Sequence, residues 1–441
     1  LNQGYKVTGS DLAESDTTKR LAKLGAKIHF GHQAENITGS HVVVISSAVR
    51  QDNPELKEAR RIRVPVIPRA EMLGELMRGK TGIAVAGSHG KTTTTSMLAT
   101  VLTSAGLDPT IVIGGKVDSL GGNAKLGQGK YVVAEADESD GSFLHLPATY
   151  AVVTNIDNDH LDHYKNLSAI EDTFLQFVGK LPFYGKAAVC GEDRGIGRCL
   201  ERFSKPITTY GLSKFWDFYA DDVQLSGLGS EFDVYGRTFV GQPHEKLGRV
   251  KLNVPGNHNV LNALAAITIG LELKVPFAKI VQGLSEFRGV DRRFQIRYKD
   301  DNRRRVIVDD YGHHPTEIMA TLQAARNFWP GRIITVFQPH RYSRTLHCRD
   351  GFLAAFRNTD VLYMSDIYAA GEDPIPGVDA ASLCADIAQA GGGNQRIEHV
   401  GDLAEIQDRI LREYQDGDMI LCMGAGSITR LAEKLAASIQ N

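Results

Sequence analysis

The chain alternates short apolar runs with amphipathic stretches from end to end, the rhythm of strands and helices in parallel sheets. Near the N-terminus it predicts strands at 6–8, 27–30, 41–45 and 64–67 and helices at 17–24 and 54–61, together a small α/β sheet. Apolar runs at 83–86, 131–134, 151–154 and 187–190 predict a second set of strands. Between 206 and 254 shorter alternating pieces, such as 232–235 and 249–252, predict an antiparallel appendage. The Ala- and Leu-rich stretch 260–271 then predicts a helix. Beyond Leu284-Ser285-Glu286-Phe287-Arg288-Gly289-Val290, a polar, glycine-bearing junction, strands are predicted at 306–308, 333–336, 361–364 and 419–422, with long helical stretches between them.

The expected fold is α/β in three domains. A Rossmann-like N-terminal domain spans 1–79, a central P-loop ATPase-like domain with a parallel or mixed sheet spans 80–284, and a C-terminal Rossmann-like domain spans 285–441. The opening strand, with Asp11 at its tip, reads as the second strand of a βαβ unit, so the chain is expected to begin inside its first domain. A length of 441 residues agrees with several cores. A net charge of -2 predicts no general attraction to nucleic acid or to an anionic membrane. No apolar run reaches the ~20 residues of a spanning helix. Cys190, Cys199, Cys348, Cys384 and Cys422 are scattered without metal-ligand spacing, which argues for a reducing compartment such as the cytoplasm.

Chemistry concentrates where predicted strands end. Ala86-Gly87-Ser88-His89-Gly90-Lys91-Thr92-Thr93 follows one strand and opens a helix. Gly87 and Gly90 let backbone N–H groups converge on phosphate oxygens, Lys91 adds a point charge, and Thr92 offers a hydroxyl to Mg²⁺. The spacing departs from the common pattern, which has glycine where this chain has Val85. Glu135-Ala136-Asp137-Glu138-Ser139-Asp140-Gly141 begins at a strand tip, and Glu135, its first carboxylate, is the expected Mg²⁺ ligand. Asn155-Ile156-Asp157-Asn158-Asp159-His160-Leu161-Asp162-His163 packs acids and histidines densely enough to suit a second Mg²⁺ through His160 or Asp159. Zinc is the rival there, disfavoured by the lack of thiolates. Asn259 and Asn262 share a helix face and suit a purine edge; the alternative is ordinary helix capping by Asn257 or Asn259. Arg288, Arg292 and Arg293 sit at the domain junction, where an arginine could reach a γ-phosphate on closure. Asp310-Tyr311-Gly312-His313-His314-Pro315 and His340-Arg341-Tyr342-Ser343-Arg344 follow two C-terminal strands, the binding edge of a parallel sheet, and the arginines suit a carboxylate.

Together these segments resemble the Mur ligases, bacterial ATP-dependent amide-bond ligases of peptidoglycan precursor synthesis. Within that family they are most similar to the member adding the first amino acid, and the likeness runs over essentially the whole chain. It implies three small-molecule partners, UDP-N-acetylmuramate, L-alanine and ATP, with two Mg²⁺, no nucleic acid, no membrane, and a monomer or weak homodimer. It implies ATP contacts from Gly87, Gly90, Lys91, Thr92, Thr93, His258, Asn259, Arg293 and Asp310, and metal contacts from Thr92, Glu135 and His160. Asp11, Ser46, Arg69, Ser88 and His89 would lie along the UDP-sugar. Tyr311, His313, His340, Arg341 and Arg344 would position the amino acid. Lys91, Glu135, His160, Arg341 and Arg344 would carry the chemistry, with His163 or His314 as candidate proton acceptor. Where later-acting relatives carry a carbamylated lysine this chain reads Thr173-Phe174-Leu175, so that ligand is expected to be absent. The competing readings are a recycling ligase that adds a tripeptide to the same sugar and a nucleotide-gated ATPase without ligation.

Overall fold

The computed structural model describes residues 1–46, 49–117, 122–237, 241–391 and 395–440. Ser47 and Ala48, which follow the predicted third strand, lie outside them, as does the Asp162 side chain.

The N-terminal part differs from the single small sheet expected. Thr8–Asp11 pairs with Lys27–Phe30, and Val43–Ile45 with Val66–Pro68, as two separate parallel pairs. None of these strand residues is buried, and the strands are three or four residues long, so little apolar surface draws the pairs into one sheet. Helix Arg69–Met77 ties this part to the centre. Its Gly74 approaches so closely that a Cβ there would stand 2.8 Å from the carbonyl oxygen of His145.

The central sheet has ten strands, in the order Glu245–Leu252, Gly229–Gly236, Phe218–Ser226, Ile207–Gly211, Lys186–Cys190, Tyr150–Val153, Thr81–Ala86, Tyr131–Glu135, Thr110–Val117 and Gly122–Lys125. Its middle is parallel. The region expected as an antiparallel appendage instead continues this sheet: Ile207–Gly211 and then Phe218–Ser226 join in parallel, and Gly229–Gly236 and Glu245–Leu252 extend the edge in antiparallel pairing. Helix Lys91–Ser104 packs against helices Asn257–Glu272 and Phe277–Glu286. Apolar residues all round Asn257–Glu272 are buried, which explains its Ala- and Leu-rich sequence.

The C-terminal sheet has six strands, in the order Gln295–Asp300, Arg305–Asp310, Met419–Met423, Ile333–Phe337, Val361–Ser365 and Arg396–Gly401. Only the first is antiparallel. Separate apolar clusters on its two faces give it a core distinct from the central one. No helix of the described residues is long and apolar enough to cross a membrane.

Candidate functional site

Three neighbouring parallel strands, Thr81–Ala86, Tyr131–Glu135 and Tyr150–Val153, end side by side, and the segments after them meet. The first turns through Gly87 and Gly90, both at positive φ, into helix Lys91–Ser104. A side chain is barred at either glycine: a Cβ on Gly87 would stand 2.0 Å from the Thr154 hydroxyl, and one on Gly90 2.7 Å from Asn262 Oδ1. Lys91 Nζ donates to the carbonyl oxygens of Gly87 (2.6 Å) and Ser88 (3.2 Å), and to Glu138 Oε1 (2.9 Å). Burial works against its charge, but Glu138, Asp137 and Glu135 hold its pKa above the ordinary lysine value. Thr92 Oγ1 donates to Glu135 Oε1 (3.0 Å), whose other oxygen accepts from the N–H of Gly114 (2.7 Å). Thr93 is buried in the first turn of the helix.

Glu138 is the carboxylate sequence reasoning did not single out. It is 2 % exposed, and its Oε2 lies 2.8 Å from Lys91 Nζ yet accepts no well-aligned hydrogen bond. His160 Nε2 stands 3.9 Å from Glu138 and 3.6 Å from Asp159. The Glu138 oxygen, the Glu135 carboxylate, the Thr92 hydroxyl and the His160 imidazole are donors of the kind a hard divalent cation takes, but they do not converge on one point; among the described residues the clustered donors are His89, Asp157 and His314. Density of acids along 135–140 could not rank them; only the fold shows which one turns inward.

The segment after Tyr150–Val153 grips the phosphate loop. Thr154 Oγ1 and Asn155 Nδ2 donate to the His89 carbonyl (2.6 and 3.0 Å), and Asn155 Oδ1 accepts from the His89 N–H (2.7 Å). Ser88 Oγ accepts from the Asp157 N–H (2.9 Å). The same segment then crosses to the C-terminal domain. Asp157 Oδ2 accepts from Thr316 Oγ1 (2.6 Å), and Asp159 Oδ1 pairs with Arg344 (3.0 Å), both partners of that pair being 8 % exposed. A small cleft beside this pair brings His160, Arg341 and Arg344 together.

His89, expected along the sugar, has both ring nitrogens turned to carboxylates, Nε2 to Asp157 (2.9 Å) and Nδ1 to Glu317 (3.6 Å). Burial opposes its charge, but those two partners outweigh it and raise its pKa to about 10. Glu317 also pairs with Arg293 Nη1 (3.1 Å) and accepts the His313 N–H (3.1 Å). The junction arginines are therefore engaged: Arg292 donates to the Gly424 carbonyl (2.6 Å), and Arg292 and Arg293 stack on Tyr311. His314 caps helix Pro315–Phe328, its Nδ1 accepting the Thr316 N–H (3.3 Å), so as a candidate proton acceptor it already has one nitrogen in use.

A cavity of about 620 Å³ lies between the central and C-terminal domains, lined by Thr92, His258, Asn259, Arg293 and Asp310 among others. Burial, aided by Arg293, lowers His258 to about 4, so it faces the cavity as a neutral ring. Neither Asn257 nor Asn259 is the helix cap considered as an alternative. That place belongs to Gly256, while Asn259 Nδ2 donates to the Pro255 carbonyl and its Oδ1 accepts from Asn262 (3.2 Å). Asn262 in turn accepts from Thr94 (3.1 Å), which ties this helix to the phosphate loop. Asp310 Oδ2 accepts from the Phe294 N–H (2.7 Å).

Tyr311, His313 and His340 form a row of rings at the C-terminal strand tips, with centroids 5.2 and 5.7 Å apart. His340 also stacks on Tyr368. Burial lowers His313 to about 3; burial, then Arg344 and Arg341, lower His340 to about 4. Arg341 Nε pairs with Glu372 (2.6 Å), another partner without a sequence signal. His160 (φ 56) and Arg341 (φ 70) both adopt left-handed backbone, strain of the kind held at functional sites. Asp11 ends its strand, Ser46 follows one, and Arg69 opens a helix; all three are exposed in the N-terminal part. His163 stacks edge-on against Tyr164.

Three family models match: residues 1–81 the Mur ligase family catalytic domain, 85–270 the Mur ligase middle domain, and 292–426 the Mur ligase glutamate ligase domain. The UDP-N-acetylmuramate–L-alanine ligase of Trichlorobacter lovleyi is 54 % identical over 437 residues, 99 % of this chain and 94 % of that protein. The enzyme of the same name from Geobacter sulfurreducens is 52 % identical over 442 residues, 100 % of this chain and 94 % of that one. Among solved structures, the UDP-N-acetylmuramate-alanine ligase of Thermotoga maritima superposes with a TM-score of 0.80 at 30 % identity, covering 100 % of this chain and 94 % of that one. A murein peptide ligase from Psychrobacter arcticus, at 24 % identity and a TM-score of 0.70, shares the fold. With all three domains matched and relatives this similar along their length, the chain belongs to the Mur ligase family, in its UDP-N-acetylmuramate–L-alanine ligase branch.

Proposed function

We propose that this chain joins L-alanine to the lactyl carboxylate of UDP-N-acetylmuramate at the expense of ATP. The main support is that one short segment, 154–160, grips the phosphate loop at one end and Arg344 of the C-terminal domain at the other. Activation of a carboxylate and its capture by an amine thereby become neighbouring events. A carboxylate oxygen of the sugar bonds to the γ-phosphorus while the bond to the β–γ bridging oxygen breaks, giving an acyl phosphate and ADP. The alanine ammonium first gives a proton to a base; its freed lone pair bonds to the carbonyl carbon, the bond from that carbon to the phosphate oxygen breaks, and phosphate leaves as the nitrogen loses a second proton to become the amide.

Lys91, on the carbonyls of its own loop, presents its charge to the transferring phosphoryl group. Gly87, Gly90 and Thr93 shape the loop around the phosphates. Thr92, Glu135, Glu138 and His160 would hold Mg²⁺, which supplies charge neutralisation at the phosphates. His258, Asn259, Arg293 and Asp310 line the cavity in which adenosine would sit. Arg341 and Arg344 present guanidinium groups to carboxylate, and the uncharged rings of His313 and His340, with Tyr311, border the amino acid. Ser88 and His89, and in the N-terminal part Asp11, Ser46 and Arg69, would follow the UDP-sugar. Closure of the C-terminal domain excludes water from an acyl phosphate that water would hydrolyse.

The test supplies ATP, Mg²⁺ and UDP-N-acetylmuramate with L-alanine, with the tripeptide, or with no acceptor, and follows phosphate release and product mass. A product heavier by one alanyl residue, formed with alanine alone, is expected. Product only with tripeptide would make the chain a recycling ligase, and phosphate release without product an uncoupled ATPase.

A further inference from the structure

Glu317 has no assigned role in the reaction proposed above, yet it is the carboxylate on which three separate parts of the molecule converge. It belongs to the C-terminal domain, at the third position of helix Pro315–Phe328. Its Oε1 meets Arg293 of the domain junction (3.1 Å) and His89 of the central phosphate loop (3.6 Å). Its Oε2 accepts the N–H groups of His313 and His314 (3.1 and 3.4 Å), which closes the capping box of its own helix. The side chain is 10 % exposed, and that of His89 11 %. On its other nitrogen His89 holds Asp157, a carboxylate of the central domain, and the His314 ring lies 4.7 Å away. One imidazole of the phosphate loop is thus clamped between an acid of its own domain and an acid of the domain that closes over it.

We propose that Glu317 is a positioning residue that latches the closed C-terminal domain to the phosphate loop through His89 and Arg293. The helix cap alone does not explain it. Glutamine fills a capping box as glutamate does, whereas two cations from two other regions need the negative charge. Opening of the domains strips His89 of one of its two carboxylates, so the loop is held in its catalytic form only when the substrate domain is in place. The proposal rests on the ligase reading for its kinetic consequence and on domain closure alone for its structural one.

The experiment compares the full chain with Glu317→Gln, which keeps the cap and removes the charge, and with Glu317→Ala, which removes both. In Glu317→Gln the thermal midpoint is expected to fall, because Arg293 and His89 lose a counter-charge, but by less than in Glu317→Ala, and the affinity for ATP without sugar is expected to change less than kcat. The kcat for alanine addition is expected to fall by about 10²-fold, as for loss of positioning remote from the chemistry, with the KM for alanine changing far less. X-ray scattering with ATP and UDP-N-acetylmuramate should show the parent compacting and Glu317→Gln remaining extended. Glu317→Ala, which also loses the cap, should lower the thermal midpoint further than Glu317→Gln does. Parent-like kcat and compaction in Glu317→Gln would overturn the latch, as would equal losses of midpoint in the two variants. If the parent forms no alanyl product but compacts normally, the ligase reading fails while the scattering comparison still decides the latch.

Discussion

The phosphate-binding cluster and the domain joint lie side by side and are built in opposite ways. Lys91–Glu138 and Thr92–Glu135 join residues of one domain, 47 and 43 apart in sequence, at the tips of adjacent strands. The parallel pairing of those strands fixes both contacts, so the cluster is cast by the central sheet alone. Asp157–Thr316 and Asp159–Arg344 join residues 159 and 185 apart, on domains with separate cores. Nothing within either domain enforces them. The contacts of the first cluster persist in any arrangement of the domains; those of the joint exist only when they meet. A two-step reaction with a water-sensitive intermediate needs such a division.

The comparison is broken most severely at its intradomain side. Lys91→Ala removes the point charge on the transferring phosphoryl group, and ATP turnover is expected to fall by at least about 10²–10³-fold. Phosphate release with all substrates present measures it. Turnover equal to the parent would take the phosphate loop out of the mechanism altogether.

Removal of a joint contact should act differently. Asp159→Asn leaves the Arg344 guanidinium buried without its counter-charge, a loss of about 3–5 kcal/mol for a buried pair. The expected outcome is a rise of roughly tenfold or more in the KM for alanine, with ATP affinity little changed, because no phosphate-loop contact is touched. Arg344→Ala should do the same, and the double variant should cost no more than either alone. Additive losses would mean that Asp159 and Arg344 work independently and that the pair is not the hinge point.

This difference also decides what was legible in the sequence. Gly87, Gly90, Lys91 and Thr92 follow an apolar run at fixed spacing, and a local rule reads them. The strands at 131–134 and 333–336 stood out for the same reason, a short apolar run between polar turns. Glu317 and Asp157 sat inside runs full of acids and histidines, where no spacing tells a capping residue from a domain contact. His314 at the N-cap, with glutamate three residues on, was a readable capping box, although histidine in place of serine or threonine disguised it. The strands after Ile207–Gly211 showed their antiparallel pattern, but their continuation of the main sheet depends on pairing across chain distances that periodicity does not encode.

The smallest expected effect is a pH dependence whose alkaline limb reports on the joint. His89 is raised to about 10, above its ordinary value of about 6.5. What it contributes is fully present below about pH 6.5 and is lost as pH rises through about 10. Four imidazoles act in the opposite sense: His258, His313 and His340 are lowered to about 4, 3 and 4, and burial lowers His314 as well, so unfolding takes up protons on them below about pH 6.5. Asp157 and Glu317, held below the usual carboxylate range chiefly by their cationic partners against the cost of burial, add their loss only below about pH 4. Thermal midpoints should therefore peak near about pH 6.5. They should fall more steeply toward about pH 4.5, where four groups take up protons, than toward about pH 9, where one releases its own. Because that one group spans the domains, the alkaline fall should be accompanied by domain opening in scattering. An alkaline limb as steep as the acid one, or one without opening, would place the titrating group somewhere other than the joint.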